Sequence, residues 1–227
     1  MNRGIHPAAL VAAYGLLALA PLLFAAARLR AGADPVRELA IAAGLLSLSL
    51  LLLQFASSGR YEVLSRRAGI DRTMRWHQLA ARAVVALALL HPLLFIVPYN
   101  LEELREFPAM VAILFTAPHL ASGVAAWVLL LAMVAMGIWR DRLPLRYEPW
   151  RATHALAAVL AAGGGIHHAV AAGTYSSGAW LAGYWGVLGA LAFGTLAYLY
   201  LAKPWMLVRT AHHVVSNREI GHGIREI

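Results

Sequence analysis

Five histidines in two apolar stretches, four of them able to form two spaced pairs, are the residues of this sequence that could do chemistry. His77 and His91 are 14 residues apart; His154 is 13 residues before His167 and 14 before His168. An α-helix turns about 100° and rises about 1.5 Å per residue, so 14 residues bring two side chains back to one face about 21 Å apart. Two such helices side by side would present two facing histidine pairs, one near each membrane surface. Facing pairs of neutral imidazoles suit the two axial positions of a haem iron. A lone histidine in a membrane helix is commonly a packed or hydrogen-bonding group. The matched spacing on two helices, with no other metal-binding side chain nearby, raises these four above that reading. A regular helix puts His168 about 40° from the His154 face and His167 about 140° from it. Gly163, Gly164 and Gly165 just before them make an irregular turn plausible, and that would rotate His167 inward. Both therefore remain candidates.

The elements that must carry these residues are membrane helices. The 227 residues are 61% hydrophobic and 13% charged, with a mean hydropathy of +0.66. Soluble domains are nearer about 45–50% apolar and about 25% charged. Ala8–Ala27, Leu120–Trp139 and Trp180–Ala202 carry no charge, and each is long enough to cross a hydrocarbon core of about 30 Å. Six spans are predicted: Ala8–Ala27, Leu39–Ser58, Trp76–Val97, Leu120–Trp139, Ala152–Ala172 and Trp180–Ala202. A signal-peptide reading of the first is weaker, because its apolar run exceeds the usual h-region of about 7–15 residues. In the second span, Ser47, Ser49 and Gln54 are expected to face neighbouring helices. Pro92 and Pro98 are expected to mark the end of the third. Tyr99–Pro118 is an acidic connection with room for a short surface helix. Beyond Lys203-Pro204, Leu207 onward is expected not to continue as a helix. Val214-Val215 and Ile224–Ile227 read as short strands and Gly221-His222-Gly223 as a turn.

The sequence has no cysteine, which excludes thiolate-ligated haem, iron–sulfur clusters, cysteine zinc sites and disulfides. The net charge of +8 does not point to nucleic acid, because the basic residues sit in short loops between apolar spans. Alternate loops plus both ends hold fourteen of the nineteen Lys and Arg; the other loops hold four. The positive-inside rule then puts both termini in the cytoplasm, with His77 and His154 toward that side. The loop carrying Arg28, Arg30 and Arg37 fits this orientation least well. Arg82, inside the third span, needs a partner at that depth. A haem propionate would serve, and snorkelling to the surface is the competing reading. His119 reads as an interfacial or capping residue. Small residues between the paired histidines, such as Ala80, Ala81, Ala157 and Ala158, leave room for a flat macrocycle or simply let helices pack closely.

The strings Trp76-His77, Leu90-His91-Pro92, Thr153-His154 and Ile166-His167, on the third and fifth of six spans, resemble the ferric reductase-like transmembrane superfamily of NADPH oxidases and ferric reductases. The resemblance covers about residues 8–203. It implies an all-α, six-transmembrane-helix bundle holding two stacked b-type haems. It pairs His77 with His154 at the inner haem and His91 with His167 at the outer one, His168 being kept as the alternative. It also implies that residues 204–227 are a cytoplasmic tail opening into an FAD- and NAD(P)H-binding domain. The flavin and nucleotide motifs themselves are not in this sequence, so a further domain or a separate flavoprotein would supply them. The expected role is an oxidoreductase's membrane part in, for example, a bacterial inner membrane. Electrons from reduced flavin would cross two haem b groups to an extracytoplasmic acceptor, ferric iron or dioxygen. Three other readings compete. An MsrQ-like haem subunit would feed a periplasmic reductase, a transporter would use the histidines as a proton relay, and a cytochrome would oxidise quinols.

Overall fold

The computed structural model describes residues 7–58, 69–98, 101–144, 146–210, 218–221 and 224–226. Its helices are α1 (Pro7–Ala26), α2 (Pro35–Leu53), α3 (Ile70–Ile96), α4 (Leu101–Thr116), α5 (Ala121–Ile138), α6 (Tyr147–Ala172), α7 (Ala179–Ala197) and α8 (Lys203–Arg209). Among the described residues, six helices are long and apolar enough to cross a membrane, and they follow the six spans read from the sequence. The protein is therefore an all-α integral membrane protein as far as its long elements go. The chain divides into two compact units, residues 1–193 and 194–227.

Within the first unit, α2 packs against α3 and α6, and α5 packs against α3 and α6. These contacts close a ring of four helices in which α3 and α6, the histidine carriers, stand diagonally opposite. The ring's core is Leu51, Val84, Leu130, Met133 and Ala161, with Val85, Ala88, Ala157 and Ala158 against it. α1 packs on α2. Much of the remaining surface is apolar. Leu16 and Leu23 of α1 are each 68% exposed and Ile138 of α5 72%, an arrangement that hydrocarbon solvates and water does not.

Ser47 and Ser49 of α2, and Gln54 at its C-cap, bind across helix boundaries, as expected. Ser47 Oγ donates to the Val84 carbonyl (3.0 Å), Gln54 Nε2 to the His77 carbonyl (2.8 Å) and Ser49 Oγ to the Leu17 carbonyl (3.2 Å). The Ser49 bond and one made by Trp127 have a common logic with the helix prolines. Proline has no N–H, so it frees the carbonyl four residues earlier, and in a membrane that carbonyl needs another donor. Pro21 in α1 frees Leu17 O, which accepts from Ser49 and from the Tyr184 hydroxyl. Pro92 in α3 frees Ala88 O, which accepts from the Trp127 indole of α5 at 3.1 Å. Pro92 lies in the last turns of the helix without stopping it, as the expected span to Val97 requires. With its lost bond replaced by Trp127, α3 runs on to Ile96 and stops before Val97 and Pro98.

The helix ends differ from the expected spans for a physical reason. Charged residues mark where a helix leaves hydrocarbon, and the helix continues past them. α3 begins at Ile70 instead of Trp76, carrying Asp71, Arg72 and Arg75. It follows Gly69, whose φ of 83° suits glycine. α6 begins at Tyr147 instead of Ala152; Pro149 is tolerated there because first-turn N–H groups have no helical acceptor. The acidic connection holds α4, a helix of 16 residues.

In the second unit, the helix past Ala197 opens into a π-turn (Tyr198–Ala202) and then α8, so Leu207–Arg209 is helical where none was expected. Strands Arg218–Gly221 and Ile224–Glu226 pair antiparallel, with Arg218 opposite Glu226 and an irregularity between Glu219 and Gly221. The second strand matches the expected Ile224–Ile227. Val214, Val215, His222 and Gly223 lie outside the described residues.

Candidate cofactor site: two histidine pairs across the bundle

His91 comes from the C-terminal part of α3 and His168 from that of α6, so both lie at one end of the ring. Their rings approach to 6.3 Å between centroids at 78°. The His91 Nδ1 lies 2.7 Å from the Ala40 carbonyl of α2. A carbonyl only accepts, so Nδ1 carries the proton and Nε2 keeps the lone pair. Phe95, one turn on, meets the His91 ring edge-on at 5.3 Å, and the Arg37 guanidinium lies 5.8 Å from the Phe95 ring centre.

Two glycines make room for these rings. A Cβ on Gly44 of α2 would stand 2.7 Å from His91 Nδ1, and one on Gly123 of α5 would stand 2.6 Å from His168 Nδ1. The α2 and α5 backbones thus flank the pair at positions where a larger residue would force the imidazoles to shift. Neither glycine stands out in the sequence. The available signal is the cost of glycine inside a helix, about 1 kcal/mol relative to alanine, which asks for a packing reason.

His167 goes elsewhere. Its side chain is exposed and its Nδ1 is 2.9 Å from the Ser122 hydroxyl. α6 stays helical through Gly163, Gly164 and Gly165, so no irregular turn rotates His167 toward His91. Gly164 serves helix packing instead, since a Cβ there would meet the Ser122 carbonyl at 3.0 Å and Ala126 at 3.2 Å. The structure brings His168, rather than His167, opposite His91.

The other end of the ring holds His77 of α3 and His154 of α6, with His154 within electrostatic reach of His77. Aromatic groups rather than glycines surround His154. The Trp150 ring stacks on it at 5.4 Å and 24°, Tyr147 stacks on Trp150 at 6.2 Å, and the Arg140 guanidinium lies 5.1 Å from the Trp150 ring. Between the two ends sits the apolar layer of Leu51, Val84, Leu130 and Met133.

The Nδ1 atoms of His77, His154 and His168 are buried and have no hydrogen-bond partner among the described residues. An unsatisfied buried polar atom costs about 1–3 kcal/mol. Three such atoms on four facing imidazoles are a donor set with binding capacity left over. No group of three or more His, Cys, Asp or Glu able to hold a metal ion occurs among the described residues. Paired imidazoles instead suit an ion that brings its own equatorial ligands, as porphyrin iron does. Arg82 is exposed on α3, which fits snorkelling better than a propionate contact. His119 is exposed in the 3₁₀ turn before α5, within electrostatic reach of His168. His6, His212, His213 and His222 lie outside the described residues.

Residues 43–165, more than half the chain, match the family described as Ferric reductase like transmembrane component. The chain belongs to this family. The match takes in His77, His91 and His154 and ends just short of His167 and His168. An "Uncharacterized protein" of Archaeoglobus fulgidus (strain ATCC 49558) is 27% identical over 158 residues, covering 69% of this chain and 86% of that protein. No solved structure matches. Membership brings with it a general redox character, and the two histidine pairs are where this ferric reductase-like chain could exercise it.

Proposed function

We propose that this chain is the transmembrane electron-transfer part of an oxidoreductase and holds two haem b groups, one at each histidine pair. His77 and His154 would hold one, His91 and His168 the other, with His167 as the alternative partner of His91. The observation that carries this reading is the two-ended arrangement of histidines on α3 and α6, with the His91 and His168 rings facing each other and the buried Nδ1 atoms of His77, His154 and His168 without a partner among the described residues. Haem bound there would supply reversible one-electron ferric/ferrous chemistry.

The protein's own contribution is positional. Each imidazole offers one ring nitrogen as a ligand. Ala40 orients His91 through its Nδ1–H, and Trp150 stacks on His154. The Leu51–Val84–Leu130–Met133 layer keeps water and ions out of the middle of the bundle, so charge crosses as electrons alone. The arginine-rich end carrying His77 and His154 suits a cytoplasmic reduced flavin, on a further domain or a separate flavoprotein that uses NAD(P)H. The opposite end would face the acceptor.

The test is a reduced-minus-oxidised absorption spectrum of the purified protein with haem quantified per chain. About two low-spin b-type haems per chain support the reading. One haem removes the two-haem part of it. None, after expression with haem supplied, overturns it in favour of a proton-relay transporter, which would be colourless.

A further inference from the structure

Arg28 and Arg30 in the α1–α2 connection, and Arg37 in the first turn of α2, lie at the place that fits the charge distribution of the sequence least well. Three arginines on the sparsely basic side of the protein ask for a reason other than topology. Two of them line a cavity of about 420 Å³ with Ala31, Glu38, Thr174 and Tyr175. That size lies within the range of about 300–1,000 Å³ usual for small-molecule sites.

The charges in the cavity are not balanced. Two arginines face one acid, Glu38, whose carboxylate oxygens both lie 2.9 Å from the Tyr175 hydroxyl. Burial and the Glu38 carboxylate raise the Tyr175 phenol above its usual range, so it stays protonated and donates. Arg28 and Arg30 have no carboxylate within ion-pair distance among the described residues. Arg28 instead reaches the α6–α7 turn, where any side chain at Gly178 would overlap its guanidinium. The turn's other wall is firm: Tyr175 and Ser176 are buried, and the Trp185 indole donates to Ser176 Oγ at 3.1 Å.

The cavity adjoins the His91/His168 end. Glu38 is two residues before Ala40, whose carbonyl holds His91. Tyr175 is seven residues, about two turns' worth of chain, beyond His168. Arg37, next to Glu38, lies over Phe95, which touches the His91 ring.

We propose that the cavity between the α1–α2 and α6–α7 connections is a docking site for a small soluble anion bearing carboxylate or phosphate groups, with Arg28 and Arg30 as its recognition groups. On the electron-transfer reading above, which this use of the site rests on, the anion is the terminal acceptor. A docked ferric chelate would take one electron, its iron passing from ferric to ferrous with no bond made or broken. Anionic acceptors would then be used in preference to neutral or cationic ones. A lipid phosphate offers the same chemistry from another source, and the experiment separates the two.

The full chain, in nanodiscs of zwitterionic lipid, is titrated calorimetrically with ferric citrate. The pre-reduced chain is then mixed in a stopped-flow instrument with ferric citrate or with the cationic oxidant hexaammineruthenium(III). The expected result is saturable citrate binding that weakens on the order of tenfold in Arg28→Gln and Arg30→Gln. Lysine at either position should partly restore it. Reoxidation by ferric citrate should slow in step, and reoxidation by the ruthenium complex should not. Equal binding by the wild-type and glutamine chains overturns the site. Loss of citrate binding when anionic lipid is added assigns the arginines to headgroups and overturns the soluble-anion assignment. Unchanged charge preference in the glutamine chains overturns the acceptor role. Binding without haem would leave the site standing and remove the electron-transfer reading; two haems without binding would do the reverse.

Discussion

The two ends of the four-helix ring carry the same pair of side chains in different surroundings. At the His91/His168 end, helix backbones press on the imidazoles through Gly44 and Gly123, and the Ala40 carbonyl fixes one ring. At the His77/His154 end, Trp150 stacks on one ring, Arg140 lies beyond it, and Gln54 binds the main chain of His77 rather than its imidazole. One end is held by close approach of main chain, the other by aromatic packing that has several ways to adjust. A tightly packed interior tolerates added volume poorly, whereas a side chain stacked at a protein edge can move. The ends should therefore respond differently to the same kind of change.

The largest effect separates the ends outright. His91→Ala should remove one haem and leave the other, and His154→Ala should do the same for the opposite site. Haem quantified per chain should fall from about two to about one in each, with different residual spectra. If either variant lost both haems, the ends would not be independent. His167→Ala and His168→Ala divide the remaining ambiguity: on the ring contacts, only the second should cost a haem.

Gly44→Ala and Gly123→Ala come next. Each adds one methyl in space occupied by an imidazole, and overpacking of this kind costs about 1–3 kcal/mol. Both variants should lower the melting temperature and shift the spectrum or midpoint potential of the His91/His168 site alone. Gly163→Ala is the control. Nothing lies within 4 Å of its added carbon, and alanine is favoured over glycine in a helix by about 1 kcal/mol, so it should be neutral or stabilising. Should all three glycines behave alike, the cradle would have no special role.

How much of this the sequence carried depends on the range of the interaction. The six spans were legible because hydrocarbon forbids charge over a length that any twenty-residue window records. Their ends were not, because Arg72, Arg75 and Glu148 limit the bilayer and not the helix. The histidine pairs were legible because spacing on a helix is arithmetic, and the same arithmetic pointed to His168 while the family spacing pointed to His167. In the structure the unbroken α6 helix turns His168 toward His91. Gly44, Gly123 and Trp127 were illegible for the opposite reason: each acts on a residue of a different helix, and only packing shows which.

Trp127 gives the finest test of the contrast between the ends. Its indole donates to the Ala88 carbonyl, one turn before His91, because Pro92 has no N–H to offer. Trp127→Phe keeps the ring and removes the donor, leaving that carbonyl unbonded at membrane depth. Interhelical bonds of this kind average about 0.6 kcal/mol in membrane proteins, so the loss should be small and confined to the His91/His168 end. Pro92→Ala supplies an N–H to the same carbonyl from within α3. In that background, Trp127→Phe should cost less than in the native chain. A double-mutant cycle read by unfolding in mixed micelles should therefore give a coupling of about half a kcal/mol or more between two residues whose side chains do not bond to each other. Zero coupling would mean that α3 passes Pro92 without the help of α5, and that the glycine backbones alone set the firmness of this end.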